Sequence, residues 1–244
     1  NKRLPAKNAH PWQVIMAPEG AAMLILERLP DGSTGTHMST VNHITSQVVY
    51  RRLLPGDIRH ISLSPQLGLL ALADAENNQV HLVEPATLAA LAARHTPGQP
   101  IDVAFTLDGK TMATAVDTGD GAGILDLAHF KTGKKGMQLK KTHSIPLSAA
   151  PVRLAASPGG KYVAIALDGG SVAVVDIEGR VITGTGALPD TPRDLRWCDP
   201  TREGPMIADW SDGEVPAEFG TFVPKVKDDK SSGLEEPVWK KPPD

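Results

Sequence analysis

The chain has 244 residues, of which 41% are hydrophobic and 22% are charged, and its formal net charge is −3. This composition is ordinary for a globular protein and excludes a global basic field that would recruit nucleic acid or an anionic membrane. The single cysteine excludes an intramolecular disulfide, the 4% aromatic content disfavours stacking platforms, and no apolar run approaches the ~20 residues of a membrane span.

A unit of two strands recurs five times along the chain. An alternating strand is followed by a turn and then by a second strand rich in Ala, Leu and Val that ends near an acidic residue. The five copies cover residues 12–27, 59–74, 101–117, 152–168 and 193–210. The position before the turn is occupied by Ala17, Ser64, Thr106, Ser157 and Cys198, in steps of 47, 42, 51 and 41 residues. A repeat of ~40–45 residues is typical of a propeller blade of four strands.

Third and fourth strands follow each of the first four units. They are predicted at "THMSTVN" and "SQVVYRRL", "QVHLVEP" and "LAALAARH", "GILDLAHF" and "MQLKKTHSI", and "SVAVVDI" and "RVITGTG". The run "LAALAARH" fits a helical turn equally well. The fifth unit is irregular, because Pro216 and Pro224 stand where strands are expected.

The fourth unit, "AASPGGKYVAIALDGGSVAVVDIEGRV", resembles the blade of YVTN-type and WD-repeat-like β-propellers. The third, "VAFTLDGKTMATAV", keeps Asp108 and Gly109 of that pattern but lacks its proline. No Trp-Asp dipeptide ends a third strand, which favours the bacterial YVTN-like type. The resemblance covers roughly residues 10–220 and implies an all-β fold, a single β-propeller of four-stranded blades. Five blades are expected, with an incomplete larger ring as the alternative.

We therefore divide the chain into an N-terminal segment (residues 1–9), a β-propeller (residues 10–224) and an extended C-terminal tail (residues 225–244). In such a fold the first strand of each blade lines a central channel. Four positions before the turn residue, every unit carries a polar side chain, and we expect these to gather at the channel mouth: Gln13, His60, Asp102, Arg153 and Asp194. They form either a mutually satisfied set of hydrogen bonds that holds the blades in register, or a site for a ligand or partner peptide.

The next position in each unit is apolar, and alternation along a strand places it on the other face. We expect these side chains to be buried between blades: Val14, Ile61, Val103, Leu154 and Leu195.

Two further segments are candidate partner-binding surfaces. One is a basic patch, which is either a solvated edge or a contact for an acidic partner, formed by Lys131, Lys134, Lys135, Lys140 and Lys141. The other is the tail, where Val238 and Trp239 are predicted to pack in a groove of the chain's own propeller or of a neighbouring subunit.

No catalytic residue, metal site or cofactor is predicted. The eight histidines lack metal-ligand spacing, "DTGDGAG" lacks the acidic spacing of a calcium loop, and there is no Gly-x-Ser-x-Gly elbow. Cys198 is expected to be a buried thiol. Enzymatic activity is left open, with non-catalytic function favoured.

The sequence thus predicts a protein-binding or scaffold subunit of a larger bacterial assembly, with protein partners and without nucleic acid, membrane span or small-molecule ligand. The alternative implied by the resemblance is an enzyme or electron-transfer subunit, such as a lactonase, whose ligand sits near His60, Asp102 and Arg153. Because the chain begins with Asn, we expect an upstream segment to have been removed, and a periplasmic or secreted location, with the cytoplasm as the alternative.

Overall fold

A computed structural model describes ten stretches of the chain. They are residues 10–16, 22–28, 35–54, 56–64, 66–133, 136–188, 190–192, 194–197, 206–209 and 219–222. Every regular element in them is a β-strand. No helix among these residues is long and apolar enough to cross a bilayer.

The strands form five antiparallel sheets in chain order. Sheet 1 contains β1 (His10–Met16), β2 (Ala22–Arg28), β3 (Thr36–Asn42) and β4 (Gln47–Leu54). Sheet 2 contains β5 (Ile58–Ser64), β6 (Leu69–Asp74), β7 (Gln79–Val83) and β8 (Ala90–His95). Sheet 3 contains β9 (Gln99–Phe105), β10 (Thr111–Asp117), β11 (Gly123–Gly133) and β12 (Gly136–Leu147). Sheet 4 contains β13 (Pro151–Ala156), β14 (Tyr162–Leu167), β15 (Ser171–Asp176) and β16 (Val181–Ala187). Sheet 5 contains β17 (Asp194–Trp197), β18 (Met206–Asp209) and β19 (Phe219–Phe222).

Within each sheet the strands lie side by side in the order of the chain. The predicted repeat of four strands is thereby confirmed for the first four units. Residues Ala90–His95 of the run "LAALAARH" form strand β8, so its helical alternative is wrong. Leu88, which precedes the strand, is fully buried, whereas the strand itself is exposed except at the half-buried Arg94.

Ser or Thr is favoured before the first turn of the repeat because its hydroxyl accepts a hydrogen bond that closes the turn. The Tyr162 N–H donates to Ser157 Oγ at 2.9 Å, and the Thr111 N–H donates to Thr106 Oγ1 at 3.1 Å. Both hydroxyls are buried, and each closes a hairpin turn whose glycine, Gly160 or Gly109, has a positive φ. The turn chemistry that the repeat pattern carries is therefore built from side chains as well as from glycines.

The chain divides into two compact units, residues 1–103 and 104–244. In the first, Leu24, Leu26 and Met38 of sheet 1 form one apolar core with Ile61, Leu70 and Leu72 of sheet 2. In the second, one core joins sheets 3 and 4 and another joins sheets 4 and 5. The predicted segments at residues 1–9 and 225–244, including Val238 and Trp239, lie outside the described residues, as does Cys198.

Four of the five positions predicted to be apolar and buried are buried: Ile61, Val103, Leu154 and Leu195. The prediction is wrong for Val14, which is 54% exposed. Ile61, Leu154 and Leu195 each share a core with the sheet that precedes their own in the chain. Sheet 1 has no preceding sheet among the described residues, and Val14 lies on the face opposite Leu24 and Leu26, so its side chain stays in solvent.

Candidate functional site

Gln13 in β1 binds the backbone of sheet 2 through its whole amide group. Its Oε1 accepts the Ile61 N–H at 3.1 Å, and its Nε2 donates to the Ile61 carbonyl at 3.0 Å. A side-chain amide has the same donor and acceptor as a peptide group, so Gln13 pairs with Ile61 as a neighbouring strand would. These two bonds fix which end of the amide is nitrogen.

His60, beside Ile61 in β5, continues the chain of polar contacts to β9. Its Nδ1 lies 2.6 Å from Oδ1 of Asp102, and its Nε2 lies 3.0 Å from Nε2 of Gln13. Asp102 is 1% exposed, and the Val103 N–H donates to the same carboxylate oxygen at 2.7 Å. These contacts bring Gln13, His60 and Asp102 together.

The contacts assign hydrogen-bond roles to the two imidazole nitrogens. Because Ile61 fixes the Gln13 nitrogen next to His60, the Nε2 of His60 accepts a hydrogen bond. Its Nδ1 donates to the Asp102 carboxylate. Both amide hydrogens and the amide oxygen of Gln13 are used by these neighbours.

Arg153 and Asp194 belong to the second compact unit, residues 104–244. Arg153 is half-buried and donates from Nη1 to the Val152 carbonyl at 2.9 Å. Asp194 accepts the Leu195 N–H at 2.9 Å and the Arg196 Nε–H at 2.5 Å. Val152 is adjacent to Arg153 in sequence, and both of these partners of Asp194 lie within two residues of it.

The observed contacts agree with the first interpretation of the polar positions, a set of bonds that holds sheets in register. Gln13 joins β1 to β5, and His60 joins β5 to β9. The Trp197 indole N–H donates to the Ala155 carbonyl at 3.1 Å and joins β17 to β13 in a similar way. Binding of a ligand by the polar positions stays a prediction.

A second candidate, which the sequence analysis missed, is an exposed apolar surface along β4. We call it the β4 surface and define it by Ile44, Val49, Tyr50, Arg51, Arg52 and Leu53. Its four large apolar side chains are 80%, 68%, 41% and 51% exposed, in the order Ile44, Val49, Tyr50 and Leu53. The signal in the sequence was "VVYRRLL", which carries more large apolar side chains than the other predicted outer strands.

Both arginines of the β4 surface are held by neighbours in sheets 1 and 2. Arg51 Nη2 donates to Glu27 Oε2 at 2.8 Å, and the Glu27 side chain is 1% exposed. Arg52 Nη1 donates to the Leu88 carbonyl at 2.7 Å. A guanidinium has five donors, so each arginine is positioned by one nitrogen while its other N–H groups can serve a partner.

The predicted basic patch is described only in part. Lys131 and Lys140 are exposed, whereas Lys134, Lys135 and the side chain of Lys141 fall outside the described residues. In the part of the chain that the structure describes, no cluster of three or more His, Cys, Asp or Glu side chains could hold a metal ion.

Comparisons with known proteins place the fold. No family model and no curated protein matches the chain. Among solved structures, the Cps50 (Swd1) β-propeller domain of Myceliophteria thermophila is similar with a TM-score of 0.69 and 13% identity, over 98% of this chain and 73% of that one. Hydrazine synthase of Kuenenia stuttgartiensis gives a TM-score of 0.66 and 17% identity, over 92% and 66%.

A chain of a mitotic checkpoint complex gives a TM-score of 0.63 and 11% identity, over 90% of this chain and 62% of that one. This chain therefore spans slightly less than two thirds of the hydrazine synthase and checkpoint chains. At these identities the likeness shows the fold and leaves function open. Together with the antiparallel sheets of four strands, it shows that the chain has the β-propeller fold.

Proposed function

We propose that this chain is a non-catalytic protein-binding module that acts as a subunit of a larger assembly. The observation that carries the proposal is the β4 surface. Four of the eleven exposed large apolar side chains among the described residues lie between positions 44 and 53. Isolated exposed apolar residues are ordinary, but several of them close together along one outer strand, beside two arginines, are typical of a protein interface.

The other outer strands supply the comparison. Among the described residues, β8 exposes Leu91, β12 exposes Leu139 and β16 exposes Val181 and Ile182. These strands otherwise carry mainly small or polar side chains, whereas β4 adds an aromatic ring and two arginines. Tyrosine and arginine are enriched at the centres of protein interfaces.

The polar positions at Gln13, His60 and Asp102 support the non-catalytic part of the proposal. Gln13 and its neighbours satisfy one another, and the His60 nitrogens are both engaged. A general base needs a nitrogen that can reach a substrate proton. The assemblies named among the similar structures, a checkpoint complex in particular, are consistent with a subunit role for this fold.

Site-specific photo-crosslinking in the source cells tests the proposal. A photoreactive residue at position 49 or 53 should give one discrete protein adduct, and the same residue at position 91 of β8 should not. Formation of the adduct through position 53 should be lost in Val49→Ser and retained in Val181→Ser, which removes a similarly exposed side chain from β16. Equal adducts at positions 53 and 91, or none at either, would show that the β4 surface is not an interface.

A further inference from the structure

The outer edge of β4 offers a partner its backbone as well as its side chains. In sheet 1 the order is β1-β2-β3-β4, so β4 pairs with β3 on one side and has no neighbouring strand on the other among the described residues. Every residue from Gln47 to Leu53 is exposed or half-buried. An accessible strand edge presents N–H and C=O groups to which another extended chain can add.

The pairing of β3 with β4 shifts register at Val49, and from Tyr50 to Leu54 the side chains alternate between the two faces of sheet 1. Tyr50 pairs with Thr40 and Arg52 with Met38, on one face, whereas Arg51 pairs with Ser39 and Leu53 with His37, on the other. In an added strand, the residue directly opposite each of these side chains would be its main contact. Apolar residues suit Tyr50 and Leu53, and acidic residues suit the two arginines between them.

Charge complementarity specifies the acidic part of this pattern. Between residues 36 and 56, Arg51 and Arg52 are the only Lys, Arg, Asp or Glu residues, although the whole chain carries a net charge of −3. The Glu27 carboxylate that contacts Arg51 is buried beneath it. Arg51 is paired with that carboxylate and Arg52 with the neutral Leu88 carbonyl, so the centre of the β4 surface keeps a net positive charge between its apolar ends.

We propose that the occupant of the β4 surface is an extended segment of a partner protein that adds to the outer edge of β4. Its sequence carries two consecutive acidic residues between apolar residues. This inference rests on the proposed protein-binding function and specifies the mode and chemistry of that binding. Main-chain hydrogen bonds supply affinity in this mode, and the opposed side chains supply specificity.

Synthetic peptides and the full chain test the mode directly. A short peptide with Val-Glu-Glu-Val at its centre should bind in fluorescence anisotropy at low salt. Replacing both glutamates with lysines should weaken binding by about tenfold or more, because two attractive cross-strand pairs become repulsive. N-methylation of alternate backbone nitrogens, which keeps every side chain, should abolish binding when the methyl groups lie on the edge that pairs with β4.

Variants of the chain provide the matched arm. Arg52→Gln should weaken binding of the glutamate peptide and leave binding of the lysine peptide unchanged or stronger. Arg94→Gln on β8 should change the affinity for neither peptide. Arg51 is not used, since its loss would leave the buried Glu27 carboxylate without its cation. Hydrogen exchange should show protection of the amides from Val49 to Leu53 by the glutamate peptide and none in β8.

The failures of the two proposals are distinguishable. If the peptides do not bind, or if both N-methylated registers bind as well as the parent, strand addition is wrong even when crosslinking at position 53 succeeds. If crosslinking fails as well, the protein-binding function at this surface is wrong. Self-association of the wild-type chain that Val49→Ser abolishes would assign the surface to a second copy and overturn a separate partner.

Discussion

At the scale of single residues, the junction between sheets 1 and 2 depends on one amide. Gln13 satisfies both the N–H and the carbonyl of Ile61 and also donates to the His60 ring. A half-buried backbone pair that loses such a partner has only limited access to water in its place. The energetic weight of Gln13 should therefore exceed that of an ordinary surface glutamine.

Gln13→Leu should lower the free energy of unfolding by about 1–3 kcal/mol, since it leaves polar groups of Ile61 and His60 without their partner. Gln13→Glu should also destabilise the protein, because a carboxylate cannot donate to the Ile61 carbonyl. Urea denaturation would measure both. Gln47→Leu, on an exposed position of β4, is the matched control and should change stability by no more than about 0.5 kcal/mol. Similar values for positions 13 and 47 would contradict the proposed role of Gln13.

A second residue-scale feature is the contact between Gly56 and Asp74. Gly56 has φ +89°, and a Cβ added there would lie 2.5 Å from Asp74 Oδ2. The Asp74 side chain is fully buried and accepts bonds from the Asn77 N–H, the Asn77 side chain and His81 Nε2. The carboxylate cannot move aside without breaking these bonds.

Gly56→Ala should therefore lower the free energy of unfolding by more than the usual cost of placing alanine at a positive φ. The control is Gly119→Ala, at a similar φ of +82° but with open space around the added Cβ. We expect a loss of about 1 kcal/mol at Gly119 and a clearly larger one at Gly56, measured by thermal or urea unfolding. Equal losses would show that Asp74 yields to the methyl group.

At the scale of elements, the hairpin turn between β9 and β10 is held together by contacts to the ionisable side chain of Asp108. Asp108 Oδ1 accepts the Thr106 hydroxyl at 2.7 Å and the Lys110 N–H at 3.0 Å, and the Lys110 ammonium lies 3.1 Å from Oδ2. Burial acts to raise the pKa of Asp108, but the hydrogen bonds from Lys110 and Thr106 and the Lys110 charge outweigh it. The pKa of Asp108 is held below its usual 3.8.

A pKa that is lower in the folded chain means that the ionised carboxylate stabilises the fold. This contribution is complete above the unfolded-state pKa of 3.8 and is lost as the pH falls through the lower folded pKa. Asp108→Asn should therefore destabilise the protein at neutral pH, and the difference from wild type should shrink in acid below that range. A pH series of unfolding measurements checks this. A difference that stays constant from neutral pH into acid would contradict the assignment.

The elements also show how far sequence reasoning reaches. Apolar patterning and turn residues predict the strands of sheets 1 to 4, because the first strands alternate, the second strands are short apolar runs, and each first turn carries its own hydroxyl or glycine. Val14 shows the limit, since alternation assigns it a face but not whether another sheet covers that face. The β4 surface was missed for the same reason: "VVYRRLL" is rich in large apolar residues, but the sequence does not show that their side chains are exposed.

Exposure differs sharply between central and outer strands, and this difference can be measured. All six residues of β6 and of β14 are buried, whereas β4 and β16 are mostly exposed. In native-state hydrogen exchange the amides of β6 and β14 should be among the slowest and those of β4 and β16 much faster. Uniform protection across the four strands would contradict the described burial.

At the scale of the whole molecule, the fold is far better determined than the function. A polar residue recurs at the start of each first strand, and in the structure Gln13, His60 and Asp102 contact one another in series. The sequence does not say whether they bind each other or a ligand, because donors and acceptors look alike in both cases. The structure shows the Gln13 amide oriented between Ile61 and His60, and ligand binding at these positions stays a prediction.

The junctions between sheets differ from one another in chemistry, and this has a consequence for the history and engineering of the chain. An amide joins sheet 1 to sheet 2, an imidazole joins sheet 2 to β9, and an indole reaches from sheet 5 to sheet 4. An imidazole cannot replace the Gln13 amide, which donates and accepts at one peptide group. Copying one sheet over another, or permuting their order, would therefore mismatch the joints even though the strands themselves are alike. Although the sheets share one strand pattern, the side chains at these three junctions are specific to the neighbouring sheets that they join.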